Sequence, residues 1–258
     1  MSTFLNASPI FGPVRSRRLG LSLGVNMMPA SGKICTFDCI YCENGFNGER
    51  PCHEPHNTAA VVLDALEAKL REMAAEGELP DVITFAGNGE PTAASEFPQA
   101  IAGAVALRDK LAPSTKIAVL SNGTRADHPE VHDALMMVDD NILKLDTVDP
   151  AFIQLLDQPV GPYDVEHQIE TFASFDGHVI IQTIFLTGEY QGKSVDNTGE
   201  EYVGPWLAAL ERIRPQEATI YTVARETPVA GLAKAAPEVL DAIATRVRTL
   251  GIPCQVSY

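Results

Sequence analysis

Six short apolar stretches, each bounded by polar turns and followed by a stripe of helical period, limit what this 258-residue chain can fold into. Residues 21–26 alternate apolar with small or polar side chains and read as the first strand. Residues 81–86, 116–120, 142–147, 178–186 and 217–223 supply the other five. The first helix is predicted from the Asn57-Thr58 cap to about Ala75, with Val61, Val62, Leu66, Leu70 and Met73 as its apolar stripe. Further helices are predicted over 97–111, 131–138, 165–175, 202–213 and 237–250. The tail, 252–258, reads as an added edge strand, with Cys254 packing inward. Six βα units predict an α/β fold, a partial (βα)6 TIM-like barrel open on one side, as a single domain over 1–258. Parallel strands joined by helices present ligands at their carboxyl ends. The glycines and prolines of residues 8–20 read as irregular lead-in, and 157–162 as a loop. Residues 187–199 are polar, with three glycines, and read as a mobile lid over the barrel top.

One loop of this frame carries the chemistry. Cys35-Thr36-Phe37-Asp38-Cys39-Ile40-Tyr41-Cys42 places three of the five cysteines in a C-x3-C-x2-C spacing just after the first strand. Three thiolates on one tight loop can meet a single metal centre. Four would close a 4Fe–4S cluster, whereas three leave one iron open for a ligand. A structural zinc site would need a fourth ligand, and Cys52, His53 or His56 lies close enough in sequence to supply it. A disulfide framework does not suit a chain this long with an odd cysteine count.

The spacing, with Tyr41 before the last cysteine, resembles the C-x3-C-x-aromatic-C signature of the radical S-adenosylmethionine (SAM) superfamily. The resemblance implies the radical SAM fold and one 4Fe–4S cluster held by Cys35, Cys39 and Cys42 on a loop spanning 33–45. It implies that the open iron binds the methionine end of SAM, and that an electron from the cluster cleaves the sulfonium to a 5′-deoxyadenosyl radical. Gly87-Asn88-Gly89-Glu90-Pro91 ends the second strand and resembles the family's stretch that contacts the SAM amino group. A carboxylate suits an ammonium, although a plain glycine turn accounts for the same residues. By the same resemblance Tyr41, Ser121, Asn122, Lys144, Asp146 and Gln182 surround SAM. Thr124 is equally a capping residue, and Lys144 with Asp146 equally an outward salt-bridged pair.

Two further runs, P-V-R-S-R-R-L-G-x-S-L-G-x-N at 13–26 and Y-T-x-x-R-x-T-P at 221–228, resemble a narrower branch. That branch contains the wyosine-type tRNA-modifying enzymes and their stand-alone relatives. Tyr221 and Arg225 are placed facing the substrate on this basis. Arg15, Arg17 and Arg18 form a basic patch that serves as an anion contact or as a solvated turn. A net charge of −15, from 19 basic and 34 acidic residues, repels nucleic acid over most of a surface. Residues 1–34 also hold no cysteine for the second cluster thought to mark wyosine formation. The expectation is therefore an iron–sulfur oxidoreductase or transferase that abstracts hydrogen from a small-molecule or peptide substrate. Its electron donor would resemble flavodoxin or ferredoxin. The alternatives are a tRNA-base modifier and, in another class, a zinc-stabilised binding protein. No apolar run approaches the ~18 residues of a membrane span, and no secretory signal is visible, so a reducing cytoplasm is expected.

Overall fold

A computed structural model describes residues 3–16 and 19–258. Arg17 and Arg18 of the expected basic patch lie outside the described residues. The chain opens with β1 (Ile10–Ser16), β2 (Gly20–Val25), α1 (Ala59–Glu76), β3 (Val82–Phe85), α2 (Phe97–Leu111), β4 (Lys116–Ser121) and α3 (Pro129–Met136). It continues through β5 (Asp140–Lys144), α4 (Pro150–Leu156), α5 (Val165–Ala173), β6 (Ile180–Ile184), β7 (Leu186–Tyr190) and β8 (Lys193–Ser194). It ends with α6 (Glu200–Ile213), β9 (Glu217–Tyr221), β10 (Leu232–Lys234), α7 (Pro237–Thr249) and β11 (Cys254–Ser257).

The main sheet has the order β1-β2-β3-β4-β5-β6-β9-β11. Every pairing from β2 to β11 is parallel. The curled sheet forms an open half-barrel, as the six βα units predict, with β11 as the strand that the 252–258 tail adds. Strand alternation builds two layers. Ile83, Phe85, Ile117, Val119, Leu143, Ile181 and Ile220 pack outward into the core shared with the helices. Val82, Ala118, Ile142 and Ile180 point into the barrel and form a small cluster of their own. Helix α1 shows how local chemistry sets an element. Thr58 Oγ1 accepts from Val61 N at 3.3 Å, and Gly77 ends the helix in the left-handed region. Val62, Leu66, Leu70 and Met73 face the core as expected. Val61 does not: one residue off the stripe, it is 49% exposed.

Three segments differ from the sequence reading. Within the stretch read as irregular lead-in, Ile10–Ser16 form β1, which pairs antiparallel with β2. As an edge strand it tolerates Pro13, whose missing N–H costs no interior ladder bond. Helix α4 was not expected. Asp149 caps it by accepting from Phe152 N at 2.6 Å, and Pro150 occupies its first turn. Residues 187–199 are a hairpin, with β7 between β8 and β10 in a small antiparallel sheet. Val195 is fully buried there, and Asn197 Nδ2 donates to Ile184 O at 2.8 Å and Asp146 O at 3.2 Å. Polar composition suggested a free loop, but backbone pairing and these two anchors hold it. Among the described residues no helix is long and apolar enough to cross a membrane.

Candidate functional site

The cysteine loop lies at the carboxyl edge of the half-barrel and is gripped from two sides. On one, Ile34 N donates to Asn88 O at 2.9 Å and Glu90 N to Ile34 O at 3.0 Å. On the other, Asp38 N donates to Asp157 O at 3.0 Å and Ile40 N to Leu156 O at 3.0 Å, while Val160 N donates to Thr36 O at 2.9 Å. The unexpected helix α4 therefore supplies half of the grip. Within the loop, Asn47 Nδ2 donates to Cys35 O at 3.1 Å and Phe37 O at 3.2 Å. Lys33, only 4% exposed, donates to Gly45 O at 2.7 Å and lies 3.4 Å from Asp38 Oδ1. Burial works against its charge, but the three neighbouring cysteines and Asp38 outweigh that and raise its pKa.

Cys35, Cys39 and Cys42 line one cavity of about 180 Å³, together with Glu90, Asn122 and Lys144. Burial pushes the Cys35 thiol up to about 12 and Cys39 well above its ordinary value, so both hold their protons until a metal displaces them. The three thiols share a wall of this cavity. Among the described residues, no three His, Cys, Asp or Glu side chains gather as the ligands of a single ion do. Three thiols on one wall fit a 4Fe–4S cluster that keeps one iron open, whereas a zinc ion there would need a fourth ligand. Cys52, one of the three candidates for a fourth ligand in the zinc alternative, bonds Ser31 Oγ at 3.1 Å, and neither it nor His53 or His56 lines the cavity.

The turn after β3 divides its labour. Glu90 is buried and lines the cavity. Its Oε1 accepts from Thr92 N at 3.0 Å, Thr92 Oγ1 at 2.6 Å and Ser121 Oγ at 2.7 Å, and its Oε2 from Asn122 N at 2.7 Å. Burial raises its pKa, and these bonds oppose the rise. Oε2, with one donor, keeps capacity for a cationic ligand. Asn88, expected to touch SAM, is turned away and wholly buried: Nδ2 donates to Asn6 O and Pro29 O, both at 3.0 Å, and Oδ1 accepts from Asn6 N at 2.7 Å. It is scaffold, because a side chain spent on three backbone partners has nothing left for a ligand. Gly87 and Gly89 line a neighbouring cavity. Ser121 Oγ is likewise spent on Glu90 and on Gly123 N at 3.0 Å.

Lys144 and Asp146 face inward, not to solvent. Lys144 Nζ lies 2.7 Å from Asp146 Oδ2 and also pairs with Asp157, while the Tyr41 hydroxyl donates to Asp146. Its ammonium sits 5.1 Å from the centre of the Phe37 ring and 5.6 Å from that of Tyr41. Burial opposes the Lys144 charge, but the two carboxylates override it. Burial pushes the Asp157 carboxyl up to about 7 against the pull of Lys144, with Asp146 adding to the rise. The network ties the cysteine loop to β5 and to the end of α4. Lys144→Met should therefore destabilise the apoprotein by about 3–5 kcal/mol, because two buried carboxylates lose their counter-charge. The urea midpoint measures this, and a loss under ~1 kcal/mol would mean the pair is solvated after all.

A second cavity, of about 440 Å³, adjoins the first and shares Tyr41, Cys42, Gln182 and Tyr221 with it. Gln182 is half-buried on β6, whereas Thr183, on the opposite face, donates to Leu145 O at 2.7 Å. Arg225, with its side chain 67% exposed, stands on the rim and pairs with Glu43 at 2.6 Å. The N-terminal segment completes this wall. Phe4 N donates to Glu43 O at 3.2 Å, and Arg225 lies 6.0 Å from the centre of the Phe4 ring. Arg15 does not join it. Its side chain is 83% exposed and lies 3.9 Å from Glu78. Sequence reasoning missed Asp157, Lys33, Glu43 and Phe4. The Asp149-Pro150 start signal could have revealed α4 and hence Asp157. Nothing local marked the others.

The model of the Radical SAM superfamily matches residues 31–189. A UPF0026 protein of Synechocystis sp. is 32% identical over 230 residues, covering 85% of this chain and 77% of that protein. A radical SAM methyltransferase from Sphaerobacter thermophilus superposes with a TM-score of 0.66 at 16% identity, over 91% of this chain and 65% of that one. SuiB of Streptococcus suis gives a TM-score of 0.62 both with S-adenosylmethionine bound, at 13% identity over 91% of this chain and 50% of that one, and with precursor peptide SuiA bound, at 14% identity over 91% and 48%. The chain thus spans less than two thirds of either solved enzyme, and at these identities the likeness is one of fold.

Proposed function

The chain belongs to the radical SAM superfamily and to its UPF0026 proteins, and from that premise we propose that it is an enzyme that binds one 4Fe–4S cluster through Cys35, Cys39 and Cys42. When bound, the cluster would supply one electron for cleaving the SAM sulfonium to methionine and a 5′-deoxyadenosyl radical able to take a hydrogen atom from a small-molecule or peptide substrate. The observation that carries this reading is the shared cavity of the three thiols, Glu90 and Lys144. Glu90 Oε2 offers an acceptor for the SAM ammonium, with Ser121, Thr92 and the Asn122 N–H holding the carboxylate still. Gly87, Gly89, Tyr41 and Gln182 line the space beyond it, where the rest of SAM fits. Tyr221 and Arg225 also line that space, and we assign them to the substrate.

The iron must be reduced from outside, so an external one-electron donor of flavodoxin or ferredoxin type is part of the proposal. Five free thiols suit a reducing cytoplasm. The −15 charge speaks against a tRNA substrate. The test is to purify the protein without oxygen and reconstitute it with iron and sulfide, then add SAM and dithionite. About four irons per chain and 5′-deoxyadenosine are expected. A colourless protein that retains a single zinc and cleaves no SAM would overturn the proposal.

A further inference from the structure

Asn122 is the one expected SAM contact whose side chain reaches a cluster cysteine instead. Its backbone N–H is held by Glu90 Oε2 at 2.7 Å. Its Oδ1 accepts from Thr124 N at 3.1 Å and from Thr124 Oγ1 at 2.8 Å. A backbone N–H can only donate, so the amide atom facing it must be the oxygen. The NH2 group is thereby turned the other way. There it donates to Thr36 Oγ1 at 2.8 Å and lies 3.7 Å from Cys35 Sγ. Thr36 and Thr124 bond each other at 2.7 Å and close the ring around the amide. Asn122 is buried beside Glu90, and Thr36, Thr124 and Cys35 are half-buried around it.

We propose that Asn122 is a positioning residue for the cluster, donating an N–H···S bond to Cys35 that raises the reduction potential of the iron this sulfur ligates. The inference rests on the cluster reading above. Reduction puts more negative charge on the thiolate sulfurs, so a donor aimed at one of them stabilises the reduced form more than the oxidised form. Low local dielectric strengthens the effect. Thr124 acts one step further out, by fixing which end of the amide meets the sulfur.

The test is a redox titration of the reconstituted cluster followed by electron paramagnetic resonance, without SAM, on wild type, Asn122→Ala, Asn122→Asp and Thr124→Val. Substituting Asn122 leaves its backbone bond to Glu90 in place. Asn122→Ala should lower the one-electron reduction equilibrium roughly tenfold, which is about 59 mV. Asn122→Asp, equal in shape but without the donor and with an added negative charge, should lower it further. Thr124→Val should lower it less, since the amide remains but is free to turn. Should Asn122→Ala take up no cluster, Thr124→Val and Asn122→Asp decide. Variants that load fully and titrate with wild type overturn the role of Asn122. A wild type that takes up no cluster overturns the site reading itself, and the two failures are distinct.

Discussion

Cys39→Ala should leave a folded protein that binds little iron and forms no 5′-deoxyadenosine. The thiol sits on a loop whose backbone is held on both flanks, by Asp38 N to Asp157 O at 3.0 Å and Ile40 N to Leu156 O at 3.0 Å. Neither bond involves the side chain, so the loop keeps its path. Alanine replaces a small buried group, and the apoprotein should lose no more than ~1–2 kcal/mol in a urea titration. The effect on iron is of another order. With one of three thiols gone, one iron of the cluster loses its only protein ligand, and the remaining two do not enclose the rest. Iron content, the brown colour and SAM cleavage should fall together. A variant that still cleaves SAM at the wild-type rate would show that Cys39 is not a ligand.

Gly89→Ala should do the opposite and damage the fold before it damages the chemistry. Gly89 has φ +135°, a region that an L side chain rarely enters. Its Cβ would overlap the carbonyl oxygen of Ile34, which is backbone and cannot swing aside. That carbonyl also accepts from Glu90 N at 3.0 Å, so relieving the overlap means parting the cysteine loop from the Glu90 turn. Strain and overlap together place the loss above ~4 kcal/mol, at the far end of single-site effects. A urea midpoint and the rate of amide exchange at Ile34 and Glu90 measure it. If the midpoint held and Ile34 stayed protected, the close approach of the two loops would not exist in solution.

Particular residues show where sequence reading succeeded and where it stopped. The strand over 116–120 and the helix over 97–111 needed only local periodicity, and the structure has β4 at Lys116–Ser121 and α2 at Phe97–Leu111. Lys144 and Asp146 were read as either an inner pair or an outer one, because residues two apart share a face whichever face it is. Their burial with Asp157 decided it. Asn88 shows what a motif leaves open. Its place in a family-like turn suggested a ligand, while its side chain is consumed by Asn6 and Pro29 across the fold.

What the sequence determined by itself was the kind of fold and the three-cysteine signature of the candidate centre. Both are written in short range: alternating apolar runs and helical stripes within about a dozen residues, and three cysteines within eight. What only the tertiary structure decided is which groups surround that centre. Asp157 arrives from the end of α4, Asn122 from the end of β4, and Phe4 from the N-terminal segment. Each meets the cysteine loop across a long stretch of chain, and no local pattern records the encounter. The reason is physical. Period and propensity act over one turn or one strand, whereas burial, counter-charge and hydrogen-bond supply are settled where distant segments pack together.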